Sequence, residues 1–316
     1  MASGRKVRQM STRPAAVAVL PAEPGVYRFR DEAGRALYIG RAGNLRRRVS
    51  SYWGDLRDRP RLRRMVPQVA GIEALVCASE HEAAWLERNL LEHRKPRWNR
   101  ARGGQELPVY IRLDETPAAP RLDPVFGVEP RPGVRFFGPY LGSRKVRAAV
   151  SALNRCYPLV YTASRLRGAE RDLAATRGVD AGDRERLVAN IAAVMERSDE
   201  AVPAAMELLR VRRDEAAAGL RFEIAAAVQD EIEGLTWVVA PQRATVEGAG
   251  DLKMSVRQSG LALHLEINNG RLRQWKQEAH LGADRVVDAP EGWAAFLERN
   301  AVLAAELGSP VRAAQP

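Results

Sequence analysis

The chain has 316 residues, 46% of them hydrophobic and 28% charged, with a formal net charge of +11. That length exceeds what one small core needs and points to two or three compact units. No apolar run approaches the length that spans a bilayer, and Cys77 and Cys156 form no CxxC pair, so a membrane-spanning chain, a zinc finger and an iron–sulfur cluster are not expected.

Met1 to Pro14 is polar and basic with no apolar core. It reads as the start of a disordered lead-in over 1–19, not as a secretory signal, and cytoplasmic is the default setting. Val26 to Arg30 and Ala36 to Ile39, separated by Asp31-Glu32-Ala33-Gly34, predict a β-hairpin. Asn44 opens a helix to about Trp53, with Leu45, Val49, Tyr52 and Trp53 on one face. A second short helix over Arg61–Val69 and a third strand over Ile72–Ala78 follow. Ser79 with Glu82 forms a capping box for a helix that reaches about His93, where Lys95-Pro96 ends it. Pro108–Leu113 and Val134–Phe137 read as strands around a Pro-rich loop, and Gly142–Cys156 as a helix. The Ala-rich stretch from Ala163 to Ile191 reads as helical, and Ala204–Leu235 as a helical hairpin. Strands near Met254–Val256, Leu261–Ile267 and Leu272–Trp275 and a helix over Glu291–Leu307 close the chain, before a loose tail over 308–316.

The excess positive charge favours an acidic partner, nucleic acid first and an anionic membrane surface as the rival. An arginine-rich bias explains why only five of the fifty basic residues are lysine, but not why they cluster. Arg35 to Arg64 holds ten arginines against two aspartates, a local charge of +8, whereas Met195 to Leu235 carries −5. The two segments therefore suit different partners. Guanidinium groups bind phosphate bidentately, and Tyr38, Tyr52 and Trp53 interleave the basic run as a nucleic-acid surface requires. A merely solvated basic face is the plainer alternative. The four histidines lack metal-ligand spacing.

Any one tyrosine here reads first as core. Together, however, Gly25-Val26-Tyr27, Tyr38-Ile39-Gly40, Arg48, Glu87 and Asn99 resemble the GIY-YIG nuclease superfamily, and most closely the N-terminal part of UvrC-type excision-repair nucleases. Supporting stretches are Tyr38-Ile39-Gly40-Arg41-Ala42-Gly43-Asn44-Leu45, Ser79-Glu80-His81-Glu82-Ala83, Leu86-Glu87-Arg88-Asn89-Leu90-Leu91, Pro96-Arg97-Trp98-Asn99 and Phe137-Gly138-Pro139-Tyr140. The resemblance covers roughly Leu20 to Cys156. It implies an α/β (α+β) fold class: an N-terminal GIY-YIG domain with a small antiparallel sheet flanked by helices, a helical middle, and a small C-terminal α+β remnant. It implies a hydrolase that cuts one strand of damaged double-stranded DNA with Mg²⁺ or Mn²⁺ and without an iron–sulfur cluster or a membrane. Glu87 would hold the metal and Tyr38 would be the general base, with Tyr27 beside it. Arg41 and Arg48 would supply charge, and Tyr52 and Asn99 would orient phosphate or water. Arg46, Arg47, Arg57, Arg61 and Arg64 would bind DNA. The family usually has lysine where this chain has Arg41, and arginine keeps the charge without serving as a proton donor.

Leu220-Arg221-Phe222-Glu223-Ile224-Ala225-Ala226, with Asp230 and Ile232, resembles the UVR motif. That implies a hairpin binding a UvrB-like partner through Phe222, Glu223, Ala226 and Asp230, with Phe222, Ala225, Ala226 and Ile232 as its apolar face. Gln229 and Arg213 depart from the motif. A hairpin packed on its own domain is the alternative. About eighty residues follow Trp237, too few for the second nuclease and the helix-hairpin-helix motifs of the family. The expected organisation is a lead-in over 1–19, a nuclease domain over 20–103, an extension over 104–160, a helical linker over 161–200, the hairpin over 201–237 and a C-terminal region over 238–307. The implied function is a single, 3′-type incision in nucleotide excision repair, as in the Cho-type nucleases. A non-catalytic DNA- and UvrB-binding regulator and a structure-specific nuclease outside repair are the rivals.

Overall fold

The computed structural model describes residues 14–100, 107–242, 251–269, 271–280, 282–287, 289 and 293–308. In chain order its elements are α1 (Ala16–Val19), β1 (Gly25–Arg30), β2 (Ala36–Ala42), α2 (Leu45–Ser50), α3 (Pro60–Met65), β3 (Gly71–Val76), α4 (Glu80–His93), β4 (Val109–Asp114), β5 (Arg121–Val125), β6 (Val134–Tyr140), α5 (Ser143–Cys156), α6 (Gly168–Arg177), α7 (Arg184–Met195), α8 (Ala201–Ala218), α9 (Phe222–Val239), β7 (Asp251–Gln258), β8 (Leu261–Asn268), β9 (Arg271–Ala279), β10 (Arg285–Val287) and α10 (Ala294–Gly308). They divide into two compact units, Met1–Gln105 with Gln242–Pro316, and Glu106–Pro241.

In the first unit an antiparallel sheet of order β2-β1-β3 has β1 at its centre. Strand alternation sends Tyr27 and Phe29 to one face and Val26 and Arg28 to the other. Tyr27 and Phe29 share a core with Val17, Leu20, Leu45, Val49, Tyr52 and Met65. Val26 packs with Leu86 and Leu90 of α4, with Leu263 and Trp275 of a second sheet, and with Leu297 of α10. That second sheet is antiparallel, of order β10-β7-β8-β9. The region expected to stand apart after residue 237 therefore shares the core of the N-terminal unit from β7 onward. A sequence window shows that β7 to β9 alternate, but not which apolar face they cover.

The local signals explain the helices. Asn44 accepts the Arg47 amide to start α2, and Leu45 and Val49 stack four apart. Ser79 accepts the Glu82 amide to start α4, while the Glu82 carboxylate returns to the Ala78 amide at 2.6 Å. The lead-in is shorter than expected. Residues 1–13 lie outside the described residues, as does the tail beyond 308, but Ala16–Val19 is a helical turn with Val17 and Leu20 wholly buried.

The second unit packs a sheet of order β5-β4-β6 against α5 to α9, around Ile111, Leu113, Val146, Leu153, Ile191, Leu209 and Leu235. Strand β5, read from the sequence as loop, carries Pro124. Proline is tolerated there because β5 is an edge. The expected helical run over 163–191 is broken at Gly178, whose φ of 65° closes α6.

Candidate active site

The two motif glycines stand where side chains from neighbouring elements need their space. A Cβ on Gly40 would lie 2.6 Å from Tyr27 Cζ and 2.8 Å from Tyr38 Cε1, with the Tyr27 hydroxyl closer still. A Cβ on Gly25 would lie 2.6 Å from Leu45 Cδ1 and would strike the Leu75 carbonyl. Gly40 is thus the floor on which the two motif tyrosines meet, and Gly25 lets α2 close on the strand pair.

Tyr27 and Tyr52 are fully buried, and their hydroxyls hydrogen-bond at 2.6 Å. Tyr38 is half-buried, with its ring centroid 6.2 Å from that of Tyr27 and 5.9 Å from that of Tyr52. The Arg48 guanidinium lies 5.5 Å from the Tyr52 ring centroid. Burial, and then the neighbouring Tyr38, push the Tyr27 phenol well above its ordinary pKa. Burial, then Tyr27 and Tyr38, do the same to Tyr52. Both therefore stay protonated at neutral pH and act as hydrogen-bonding phenols.

A second group lies on the other side of β2. Arg41 is three residues from Tyr38, so alternation turns it to the opposite face. Its Nε stands 3.4 Å from Glu87 Oε2. The Glu87 side chain is 22% exposed, so the carboxylate reaches solvent. A cation held by Glu87 would find no cluster of three or more His, Cys, Asp and Glu side chains among the described residues. That suits a hard divalent ion that keeps most of its waters.

Asn99 is brought to the site differently from the expectation. Its Oδ1 accepts the Ile39 amide at 3.0 Å and its Nδ2 donates to the Ile39 carbonyl at 2.7 Å. Asn99 therefore holds the backbone between Tyr38 and Gly40, with one N–H of its Nδ2 not used by these two bonds.

The five further arginines separate in the structure. Arg47 and Arg64 are exposed without an ionic partner among the described residues, as a phosphate-binding surface needs. Arg46 Nε donates to the Leu20 carbonyl at 2.6 Å and ties α1 to α2. Arg57 is exposed and chelates Asp55. Arg61 Nη2 donates to the Arg97 carbonyl at 3.1 Å.

In the second unit, Phe222, Glu223 and Ala226 are exposed at the start of α9, near exposed Leu220 and Ile224. Asp230 is paired with Arg144 of α5 at 3.1 Å. Ile232 is 9% exposed and belongs to the core, so the apolar face read from the sequence stops short of it. The hairpin packs on its own unit along α5. A Cβ on Gly234 would fall 2.6 Å from Ala148 Cβ, and Glu231 accepts from Arg155 and Ser151. The open part is its tip.

Residues 23–100 match the model of the UvrC-like GIY-YIG domain. UvrABC system protein C of Methylococcus capsulatus is 35% identical over 263 residues, which are 78% of this chain and 42% of that protein. The same protein of Synechococcus elongatus is 33% identical over 300 residues, 88% of this chain and 44% of that one. The chain thus spans less than half the length of these relatives. The magnesium-bound GIY-YIG N-terminal endonuclease domain of UvrC from Thermotoga maritima is 33% identical and covers 27% of this chain and 91% of its own, with a TM-score of 0.25. Among the described residues, no helix is long and apolar enough to cross a membrane.

Proposed function

Residues 23–100 form a UvrC-like GIY-YIG nuclease domain, and we propose that the chain is a metal-dependent endonuclease making a single, 3′-type incision in damaged duplex DNA during nucleotide excision repair. The observation that carries this reading is the convergence on β2 of three phenols and Arg48 on one face and the Arg41–Glu87 pair on the other. Mg²⁺ or Mn²⁺ held by Glu87 would supply Lewis-acid charge at the scissile phosphate.

The protein's own groups divide the remaining work. Tyr38 is the partly exposed phenol of the three and stands outside the Tyr27–Tyr52 hydrogen bond, so in its phenolate form it would take the proton of the attacking water and become the neutral phenol. Tyr27 and Tyr52 stay protonated and pack on the Tyr38 ring by tilted contacts. Arg48 offsets the charge that grows on the phosphate oxygens. Arg41 pairs with Glu87, the residue that would hold the cation. Asn99 acts through the backbone of β2. Arg47 and Arg64 bind the flanking phosphates, Arg57 and Arg61 stand in the same basic run, and Arg46 acts through the placement of α2.

The hairpin tip, with Leu220, Phe222, Ile224 and Ala226, is the surface for a UvrB-like protein. A duplex with one bulky lesion and separate 5′ and 3′ labels tests the reading, with Mg²⁺ and with or without UvrB. One cut 3′ to the lesion that needs UvrB and disappears in Phe222→Glu is the expected result. Two cuts, or an undamaged strand cut equally with and without UvrB, would overturn it.

A further inference from the structure

The segment after α4 is bound to the free edge of the strand that carries the site. The Trp98 amide donates to the Leu37 carbonyl at 3.1 Å, and the Asn99 side chain holds both backbone groups of Ile39. The loop after α4 is thus fastened to edge strand β2, and its exposed side chains are cationic. Arg61 of α3 ties into the same segment through the carbonyls of Arg97 and Asn99. The guanidinium carbons of Arg61 and Arg97 lie 6.0 and 5.5 Å from the Trp98 ring centroid. This stacking fixes their planes.

Residues 57–64 and 94–100 together hold nine arginines and lysines and one carboxylate besides, Asp58. Arg94, Lys95, Arg97 and Arg100 are exposed, and none has an ionic partner among the described residues. Lys95 Nζ instead donates to the Arg100 carbonyl. Asp55 answers Arg57, and Asp58 is the one further carboxylate in these stretches, so the excess of cations is costly to the fold by self-repulsion and a polyanion relieves it.

We infer that the segment 94–100, together with α3, is a second DNA contact of the nuclease unit, binding the phosphate backbone of the strand that leads away from the tyrosines. The inference rests on the nuclease reading above and adds the path of the substrate. Because Asn99 joins the segment to Ile39, one residue from Tyr38, a phosphate held by Arg97 or Arg100 is in fixed register with the site. A duplex suits it better than an anionic bilayer: within residues 57–64 and 94–100 no large apolar side chain is exposed to enter lipid.

The test is fluorescence anisotropy of the full chain with a labelled duplex in EDTA, at several salt concentrations. The triple variant Arg94→Gln/Arg97→Gln/Arg100→Gln is compared with Arg165→Gln/Arg171→Gln/Arg177→Gln, which removes three exposed arginines from the other unit. Each phosphate contact contributes about 0.9 to the slope of log affinity against log salt, so the first variant should lower that slope by about 2 to 3. The second should leave it unchanged. Parent binding with an unaltered slope in the first variant, or an equal fall in both, would overturn the assignment while leaving the nuclease reading standing. A parent that does not bind the duplex would overturn both. Thermal melting of each variant excludes unfolding as the source of a loss.

Discussion

Gly40 shows how much one missing carbon decides. Alanine there collides with the rings of Tyr27 and Tyr38. Gly40→Ala is therefore expected to abolish nicking and to lower stability by about 1–3 kcal/mol, as overpacking does; urea unfolding beside a nicking assay checks both. The buried phenols make a pH prediction. Tyr27 and Tyr52 have raised pKa values in the fold, through burial first, whereas in the unfolded chain they titrate near ~10. Above that pH the unfolded state binds fewer protons than the native state. The stabilisation from keeping these phenols neutral is complete below about pH 10 and is lost as pH rises beyond it. Absorbance at 295 nm across an alkaline titration should show two phenols fewer in Tyr27→Phe/Tyr52→Phe, with the difference appearing in the late phase. A difference in the early phase would contradict the burial argument. The tyrosines and glycines were legible in the sequence because a short strand–turn–strand fixes their spacing, whereas Arg48 and Glu87 were named only through the resemblance to the nuclease family. The role of Asn99 was not legible, because its backbone partner lies sixty positions away and only the fold brings them together.

At the scale of elements, the three-stranded sheet has both free edges closed by an asparagine. Asn99 pairs the amide and carbonyl of Ile39 on β2. Asn300 of α10 pairs those of Val76 on β3, accepting at 2.7 Å and donating at 3.3 Å. Each closes an edge that would otherwise offer unpaired backbone groups. Val76 also leads into the Ser79 cap of α4, so α10 steadies the entry of the helix that carries Glu87. Asn300→Ala leaves a buried N–H and C=O unsatisfied, at about 1–3 kcal/mol each. A fall in melting temperature of several degrees is expected, with a smaller loss in Asn300→Asp, which keeps an acceptor for the Val76 amide. Equal melting of Asn300→Ala and the parent would refute it. Sequence reading found α10 from its apolar spacing. It could not find Asn300, because a lone asparagine on a helix carries no sign of a partner 224 positions away. Strand β5 was missed for a local reason, since Pro124 argues against a strand unless its edge position is known.

On the scale of the whole molecule, the chain returns from the second unit to complete the first. Leu263, Leu265, Trp275 and Leu297 cover Val26, Leu75 and Leu86, and Leu303 and Leu307 join Val17 and Leu20. Arg28 is buried between Glu73, at 2.5 Å, and the Trp275 ring, at 4.3 Å, and donates to the Trp275 carbonyl. A fragment ending at residue 105 uncovers that face and takes the Trp275 ring and carbonyl away from Arg28, leaving it Glu73. It should melt below the full chain and bind a hydrophobic dye, and coincident melting would show that the C-terminal segment contributes nothing. The helical hairpin followed from periodicity, whereas the return of β7 to α10 to the N-terminal sheet did not. The most direct test of the account is nicking of supercoiled plasmid by the full chain in Mg²⁺, beside Glu87→Gln and Tyr38→Phe. The parent should nick, and both variants should fall to background while keeping the parent's melting temperature and duplex affinity. Cutting by both variants at the parent's rate would contradict the site described here.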